Sequence, residues 1–213
     1  MTAKTVRTEI GLVISQMTGK MEGFHSINSN PLDNPFCNRM ASVPGSICSQ
    51  CYSRRMLGAS RKHCGIPWSE NNRILSGSVI PEEHIPDLSR LQCNGAFRFS
   101  SHGEIINENH LVNLLNIARK NPDITFGLWT KRVSMVQEHI DEIPDNVVLV
   151  ASTRLTNIAF PVVPDGFHKV FSVYTKAFAE EHGIAINCHG ACRECMICYH
   201  KENGVTHINE LIK

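Results

Sequence analysis

The chain reads Ile124-Thr-Phe-Gly-Leu-Trp-Thr130 and, one helix length later, Val147-Val-Leu-Val-Ala-Ser-Thr153. Both segments are short and mostly apolar, as expected of strands that are covered on both faces of a sheet. Between them, Val133–Ile143 carries apolar residues at helical spacing. The unit therefore predicts a strand, a helix and a second, parallel strand.

The same alternation extends in both directions along the chain. Further strands are predicted at 8–16, 24–28, 97–100, 169–174 and 184–187, and further helices at 68–76, 107–120 and 175–181. Alternating strands and helices are typical of a parallel α/β sheet. We expect one domain over residues 1–213 with about six parallel strands, arranged as an open parallel sheet or a partial (β/α)6 TIM-like barrel. Within it, residues 1–36 form the N-terminal segment with the first strands, 37–64 a cysteine loop, 65–187 the βα repeats and 188–213 a C-terminal cluster-binding segment.

Four cysteines crowd the end of the chain in the run Cys188-His-Gly-Ala-Cys192-Arg-Glu-Cys195-Met-Ile-Cys198. Such spacing suits four thiolates around one inorganic centre, because a short loop can point several sulfurs inward. An iron–sulfur cluster is the favoured interpretation. Zinc also uses Cys-x2-Cys spacing and is the alternative metal, and a group of ordinary buried thiols is the third reading.

A second cysteine group comprises Cys37, Cys48 and Cys51, with ten residues between the first two. Three thiolates on a four-iron cluster leave one iron free to bind a small ligand, as an open position does in catalytic zinc sites. The alternative is a zinc site that Cys64 or His63 completes. Cys93 has no near partner in sequence and is expected to be a structural thiol.

Polar turns follow three predicted strands, at Ser101–Glu104, Lys131-Arg132 and Ser152–Arg154. Ligands of parallel α/β folds gather at the carboxyl ends of the strands. We expect these turns to converge there with both cysteine groups. Lys131 with Arg132 is expected either to bind a phosphate or carboxylate or to form a solvated helix start.

Composition limits the classes of function. The net charge is +1 and no strongly basic region occurs, so there is no strong nucleic-acid signal. No apolar run reaches membrane-spanning length. Nine cysteines without an export signal indicate a reducing, cytoplasmic setting in which thiols serve metals or catalysis.

The cysteine loop Cys37–Tyr52, the strand and turn Phe97–Glu104 and the terminal run Cys192–Cys198 resemble the radical S-adenosylmethionine superfamily. Within it they are most similar to phage proteins of the gene product eighty-eight kind. The resemblance implies a radical-SAM-like partial barrel and a [4Fe-4S] cluster on Cys37, Cys48 and Cys51. It also implies S-adenosylmethionine as a ligand and an auxiliary cluster on the four terminal cysteines. The alternative is one [4Fe-4S] cluster that cysteines from both ends of the chain share. In place of the usual Gly-Gly-Glu turn stands Ser101-His-Gly-Glu104, and the predicted cofactor-binding residues are Ser101, Gly103, Glu104, Lys131, Arg132 and Ser152.

Two functions follow from this interpretation. The first is redox or radical chemistry at the three-cysteine cluster, acting on a small-molecule substrate. The second is a non-catalytic phage iron–sulfur or zinc protein with a structural, electron-transfer or host-interaction role, whose partner is a host protein.

Overall fold

A computed structural model describes residues 5–212; residues 1–4 and Lys213, at the ends of the predicted domain, lie outside the described residues. One eight-stranded sheet runs through the molecule. Its strands are β1 (Thr5–Arg7), β2 (Val13–Gln16), β3 (His25–Ile27), β4 (Ala96–Phe99), β5 (Thr125–Thr130), β6 (Val147–Ser152), β7 (Lys169–Tyr174) and β8 (His207–Leu211). They lie side by side in chain order, and β1 and β8 form the two edges of an open sheet.

The six strands from β3 to β8 run parallel, whereas β1 and β2 are added antiparallel. In the centre of the sheet, Phe126 of β5 pairs with Val147 of β6, and Leu128 pairs with Leu149. Because each crossover moves one strand along the sheet, the carboxyl ends of all six parallel strands share one rim. The predicted α/β class and parallel sheet are thereby confirmed.

The predicted last strand, Ile184–Asn187, is wrong. These residues form no strand and remain half-exposed, since the place beside β7 is taken by β8. The segment instead runs outside β8, where the Asn187 side chain donates to the His207 carbonyl and accepts from the Asn209 N–H, each at 2.8 Å. The expected number of parallel strands is right only because β8 replaces this segment.

The predicted strand at 8–16 is also wrong in its first half. A turn at Thr8–Gly11 separates β1 from β2, closed by a 2.9 Å hydrogen bond from the Gly11 N–H to the Thr8 carbonyl. Gly11 has φ +87°, which favours glycine and ends the extended backbone there. The strand predicted at 24–28 is confirmed as β3.

Seven helices accompany the strands in the described chain: α1 (Pro35–Ala41), α2 (Tyr52–Gly58), α3 (Gly65–Gly77), α4 (Glu108–Lys120), α5 (Val133–Gln137), α6 (Lys176–Glu181) and α7 (Cys192–Cys195). Helix α4 begins where Asn107 accepts a hydrogen bond from the His110 N–H at 3.0 Å, and its Leu111 and Leu114 are fully buried. The helix predicted to Ile143 ends at Gln137 and continues as a 3-10 turn at Ile140–Glu142. This turn packs Ile140 against Gly166.

The two faces of the sheet carry separate apolar layers, because alternate side chains of a strand point to opposite faces. One face holds Phe97, Phe126 and Leu149 and is covered by α4. The other face holds Trp129 and Val150 and is covered by two turns from the ends of the chain. The second cysteine group therefore lies across a face of the sheet.

Within residues 5–212, none of the helices has the length and apolar content needed to cross a membrane.

Candidate functional site

The first cysteine group begins on α1, and Asn34 positions it. The Asn34 side-chain oxygen caps the helix by accepting from the N–H groups of Phe36 at 2.9 Å and Cys37 at 3.2 Å. Pro35 occupies the first helical turn, where no N–H is needed. The Asn34 amide also donates to the Glu104 carbonyl at 2.7 Å. Asn34 thus joins Cys37 to the turn that follows β4.

The ten residues between Cys37 and Cys48 form a fixed loop. The Ser46 hydroxyl donates to the Met40 carbonyl at 2.6 Å and caps the 3-10 turn that carries Cys48. The Ile47 N–H donates to the Arg154 carbonyl at 3.0 Å, and Gly45 accepts from the residue 156 N–H at 3.0 Å. This pairing ties the loop to the segment after β6.

The three thiols of this group lie close enough to affect one another's ionisation. Burial raises the pKa of Cys37 most strongly, and the charges of Glu104, Cys48 and Cys51 raise it further, while Lys131 lowers it. Burial likewise raises the pKa of Cys48, and Lys131 again opposes that shift. Without a bound cation Cys37 and Cys48 are therefore neutral, and a metal ion would be required to hold them as thiolates.

A cleft of about 560 Å³ opens beside Cys48 and Cys51 at the carboxyl ends of the strands. Ser101 and Lys131 also line it. Four of the predicted site residues therefore share one cavity. Cys37 lies behind them, buried at 7% exposure.

The turn after β4 is held by its own side chains. Glu104 is 3% exposed and accepts three hydrogen bonds, from the Thr130 hydroxyl at 2.8 Å and from the N–H groups of Ile105 at 3.0 Å and Lys131 at 2.8 Å. Gly103 has φ +82°, and a Cβ atom there would lie 2.4 Å from the Ser29 carbonyl oxygen. The turn thus requires glycine and has a fully hydrogen-bonded carboxylate.

Arg132 and Ser152 lie next to the cleft without lining it. The Arg132 guanidinium donates to the Ile105 carbonyl at 3.2 Å and holds the β4 turn from its other side. Burial lowers the pKa of Arg132. Ser152 lines a second cavity, which shares Lys131 with the main cleft.

The second cysteine group packs across the sheet and not at the carboxyl rim, so the expected convergence of both groups on one rim is wrong. The cysteine run follows residues 184–187, which lie outside the edge strand β8 and form no strand. At the start of the run, the Cys188 N–H donates to the Asn209 carbonyl of β8 at 3.1 Å. Tyr199 then stacks on Phe24 with ring centroids 4.9 Å apart and meets Trp129 edge-on at 5.6 Å. These aromatic contacts anchor the cysteine run.

Arg98 of β4 projects toward this second group. Its guanidinium carbon lies 3.2 Å from the centroid of a Trp129 ring. Burial raises the pKa of Cys198 to about 12, and the positive charge of Arg98 opposes the shift. Cys188, Cys192 and Cys195 raise the pKa of Cys198 further. The other three thiols of the run thus lie close enough to Cys198 for their charges to oppose its ionisation.

Of the remaining candidates, His102 also lines the main cleft, whereas Cys64 and Cys93 lie elsewhere. Cys64 packs against Met56, Leu57 and Trp68, and Cys93 is buried in the layer around Trp129. His102 stacks on Trp68 at 4.6 Å and shares a 2.7 Å hydrogen bond with Ser53. Burial lowers the pKa of His102 to about 3, so its ring is neutral near pH 7.

Within residues 5–212, no three or more His, Cys, Asp or Glu side chains are arranged to hold a metal ion. The metal-ligand assignments of both cysteine groups stay predictions.

One known family matches a part of the chain that includes the first cysteine group and three of the four cysteines of the second. The family model described as gene product 88 matches residues 31–196, more than three quarters of the chain. The chain belongs to the gene product 88 family. The part matched to gene product 88 includes Cys37, Cys48 and Cys51 and ends after Cys195. No curated protein and no solved structure matches the chain.

Several residues that shape the candidate site were not predicted from the sequence. Asn34 had a signal, because Asn before Pro at a helix start is a common cap. Arg98 is the one non-aromatic, non-small residue of the strand Ala96–Phe99, and its charge on a covered strand was a usable signal. The pairing of Gly45–Ile47 with the segment after β6 left no signal, because it joins residues remote in sequence.

Proposed function

We propose that the chain is an iron–sulfur protein of radical-SAM-like type, with a [4Fe-4S] cluster on Cys37, Cys48 and Cys51. The observation that carries the proposal is that Cys48 and Cys51 line the cleft at the strand ends, with Cys37 buried close enough for their charges to raise its pKa. The parallel strands in chain order support the finer assignment of a partial (β/α)6 barrel, because such barrels are wound in one direction.

The donor set suits such a cluster. Three thiols form the group, and the nearby Glu104 carboxylate already accepts three hydrogen bonds from the chain. Soft sulfur ligands favour iron–sulfur centres and zinc. In a cluster each thiolate binds a different iron, so the thiols need not surround a single point as they would for one zinc ion. A cluster bound by three thiolates supplies one-electron transfer and one iron that is open to a small ligand.

The chain's own residues prepare the cleft for an anionic or zwitterionic ligand. Lys131 lines the cleft and places positive charge near Cys37 and Cys48. Glu104 holds the Lys131 backbone through the 2.8 Å hydrogen bond from its N–H. Ser101 offers a hydroxyl group at the same wall. We assign S-adenosylmethionine, or a small-molecule substrate, to this cleft.

The second cysteine group supports an auxiliary four-thiolate centre on Cys188, Cys192, Cys195 and Cys198. Arg98 is a half-buried cation that stacks on Trp129 and faces these thiols. A cation in such a position favours a negatively charged centre, which a four-thiolate cluster provides. We propose that the protein acts in a reducing cytoplasm, which is the host cytoplasm if the chain is encoded by a phage.

Electron paramagnetic resonance tests the open iron. The reduced, anaerobic protein should change its spectrum when S-adenosylmethionine is added, and Cys37→Ala should lose that response while the terminal signal remains. Cys93→Ala, which removes a buried thiol outside both groups, is the matched control and should respond like the wild type. A wild-type spectrum that S-adenosylmethionine leaves unchanged, and that Cys64→Ala perturbs, would refute the open iron.

One observation favours a second candidate, a non-catalytic iron–sulfur or zinc protein with a structural, electron-transfer or host-interaction role. The Glu104 carboxylate stands where the resemblance implies a nucleotide contact, yet both its oxygens already accept hydrogen bonds from the chain. A carboxylate so engaged stabilises the turn whether or not a nucleotide binds. Metal content without any effect of S-adenosylmethionine is the result this candidate predicts.

A further inference from the structure

A second cavity of about 380 Å³ lies between the ends of β5 and β6. It shares Lys131 with the main cleft but contains no cysteine. Its polar lining comprises Lys131, Ser134, Ser152, Thr153 and Arg154. The cavity has the volume of a small-ligand site, and its donors are cationic and hydroxyl groups.

Positive charge accumulates at this end of the sheet. The guanidinium carbons of Arg39, Arg132 and Arg154 lie 5.7, 5.6 and 5.7 Å from the centroid of the Phe36 ring. In the described chain, none of these three arginines forms an ion pair with a carboxylate within 4.0 Å. Like charges gathered around one ring repel one another, so an anion bound beside them is favoured.

Thr153 provides an independent sign of a missing partner. Its residue is 3% exposed, and its hydroxyl oxygen has no hydrogen-bond partner. Its backbone N–H is already used, donating to Phe171 of β7 at 2.9 Å. A buried hydroxyl without a partner is unfavourable. Thr153 lines the cavity with other atoms, since its Oγ1 exposes no surface, and rotation about χ1 would turn the hydroxyl toward an oxygen of a ligand there.

The opposite wall of the cavity is apolar and open. Leu155 is 39% exposed and Ile158 is 53% exposed, and both line the cavity. Apolar side chains beside a cluster of donors suit a ligand with a charged end and an apolar or aromatic body.

We propose that this cavity binds an organic phosphate, with the phosphate at Lys131, Arg154, Ser134 and Thr153 and the apolar body against Leu155 and Ile158. A phosphate monoester presents three terminal oxygens, which matches two cations and two hydroxyl groups better than the two oxygens of a carboxylate do. The proposal stands apart from the assignment of clusters, because no cysteine lines the cavity.

The site is connected to the first cysteine group through the backbone. The segment 154–156 pairs with the segment 45–47, immediately before Cys48. A ligand at Arg154 therefore contacts the segment that holds the Cys48 loop in place.

Calorimetric titration of the purified full chain tests the site with four probes. Phenyl phosphate combines both groups, inorganic phosphate lacks the body, phenol lacks the charge, and benzoate replaces phosphate by carboxylate. We expect phenyl phosphate to bind at least tenfold more tightly than each of the other three. Equal affinity for inorganic phosphate, tighter binding of benzoate, or no binding of phenyl phosphate would overturn the proposal.

Two variants locate the binding. Arg154→Gln and Thr153→Val should each weaken phenyl phosphate at least tenfold, whereas Arg90→Gln, an exposed arginine before β4, should leave the affinity unchanged. Thr153→Val should also melt at or above the wild-type temperature, because it removes a hydroxyl without a partner. Unchanged affinity in Arg154→Gln and Thr153→Val would contradict the site, and a lower melting temperature in Thr153→Val would contradict the unsatisfied hydroxyl.

Discussion

Glu104→Gln should destabilise the turn at the centre of the site. Each oxygen of the carboxylate is in use: one accepts from Ile105 N–H and the Thr130 hydroxyl, and the other accepts from Lys131 N–H. Glutamine replaces one of these acceptors by an NH2 donor. Whichever way the amide points, the N–H of Ile105 or of Lys131 then faces another donor.

The size of the effect follows from the burial of this group. Glu104 is 3% exposed, so water cannot replace the lost acceptor. A hydrogen bond to a charged group contributes about 1.5–3 kcal/mol, and an unsatisfied buried donor costs a similar amount. Because glutamine is less costly to bury than a carboxylate, we expect a net loss of about 2–4 kcal/mol in the free energy of unfolding.

Urea unfolding followed by tryptophan fluorescence measures this loss. The dependence of the unfolding free energy on urea should be unchanged, so the midpoint alone should fall. Glu83→Gln, an exposed carboxylate, is the matched control and should stay within about 0.5 kcal/mol of the wild type. If Glu104→Gln unfolds at the same urea concentration as Glu83→Gln, the carboxylate does not hold the turn.

Three further predictions concern the fold. Leu114→Asp should abolish soluble expression, because Leu114 is fully buried on α4 and the charge would have no partner; a soluble variant that unfolds cooperatively would contradict this. Gly127→Ala should destabilise by about 1–3 kcal/mol, because its Cβ would lie 2.7 Å from a Tyr199 ring carbon; Gly77→Ala, which meets nothing within 4 Å, is the control, and equal thermal stability would contradict the packing. Burial lowers the pKa of His110 to about 3, so between pH 6.5 and 3 the unfolded chain binds more protons than the folded chain. The unfolding free energy therefore decreases as the pH is lowered through this range, by at most about 1.4 kcal/mol per pH unit for this histidine. His110→Gln should flatten this decline between pH 7 and 5.5 in urea titrations, and a slope equal to that of the wild type would contradict the buried neutral ring.

The local sequence pattern was sufficient to predict a strand or helix that is buried along its length. The strand Val147–Ser152 is buried at every residue, and its apolar run indicated this directly. Helix α4 carries both its cap and its apolar stripe in sequence. Ile184–Asn187 shows the limit, because a short apolar segment beside a helix suits a strand, yet the edge of the sheet was taken by residues 207–211.

The candidate site was predictable in its ligands but not in its layout. The grouping of the thiols follows from spacing, because Cys48 and Cys51 are near in sequence and the loop returns Cys37 to them. The position of the second group depended on the last strand, and the error there misplaced Cys188. The cavity at Thr153 arises from tertiary packing, since a hydroxyl without a partner is visible only once its neighbours are known.

We propose that the two cysteine groups hold two iron–sulfur clusters. Iron and acid-labile sulfide analysis of the anaerobically purified chain, with its absorption spectrum, measures whether they do. We expect about eight irons and eight sulfides per chain, and Cys37→Ala and Cys195→Ser should each retain about four of both. Zinc without sulfide in the wild-type chain, or iron content that neither substitution changes, would contradict the claim.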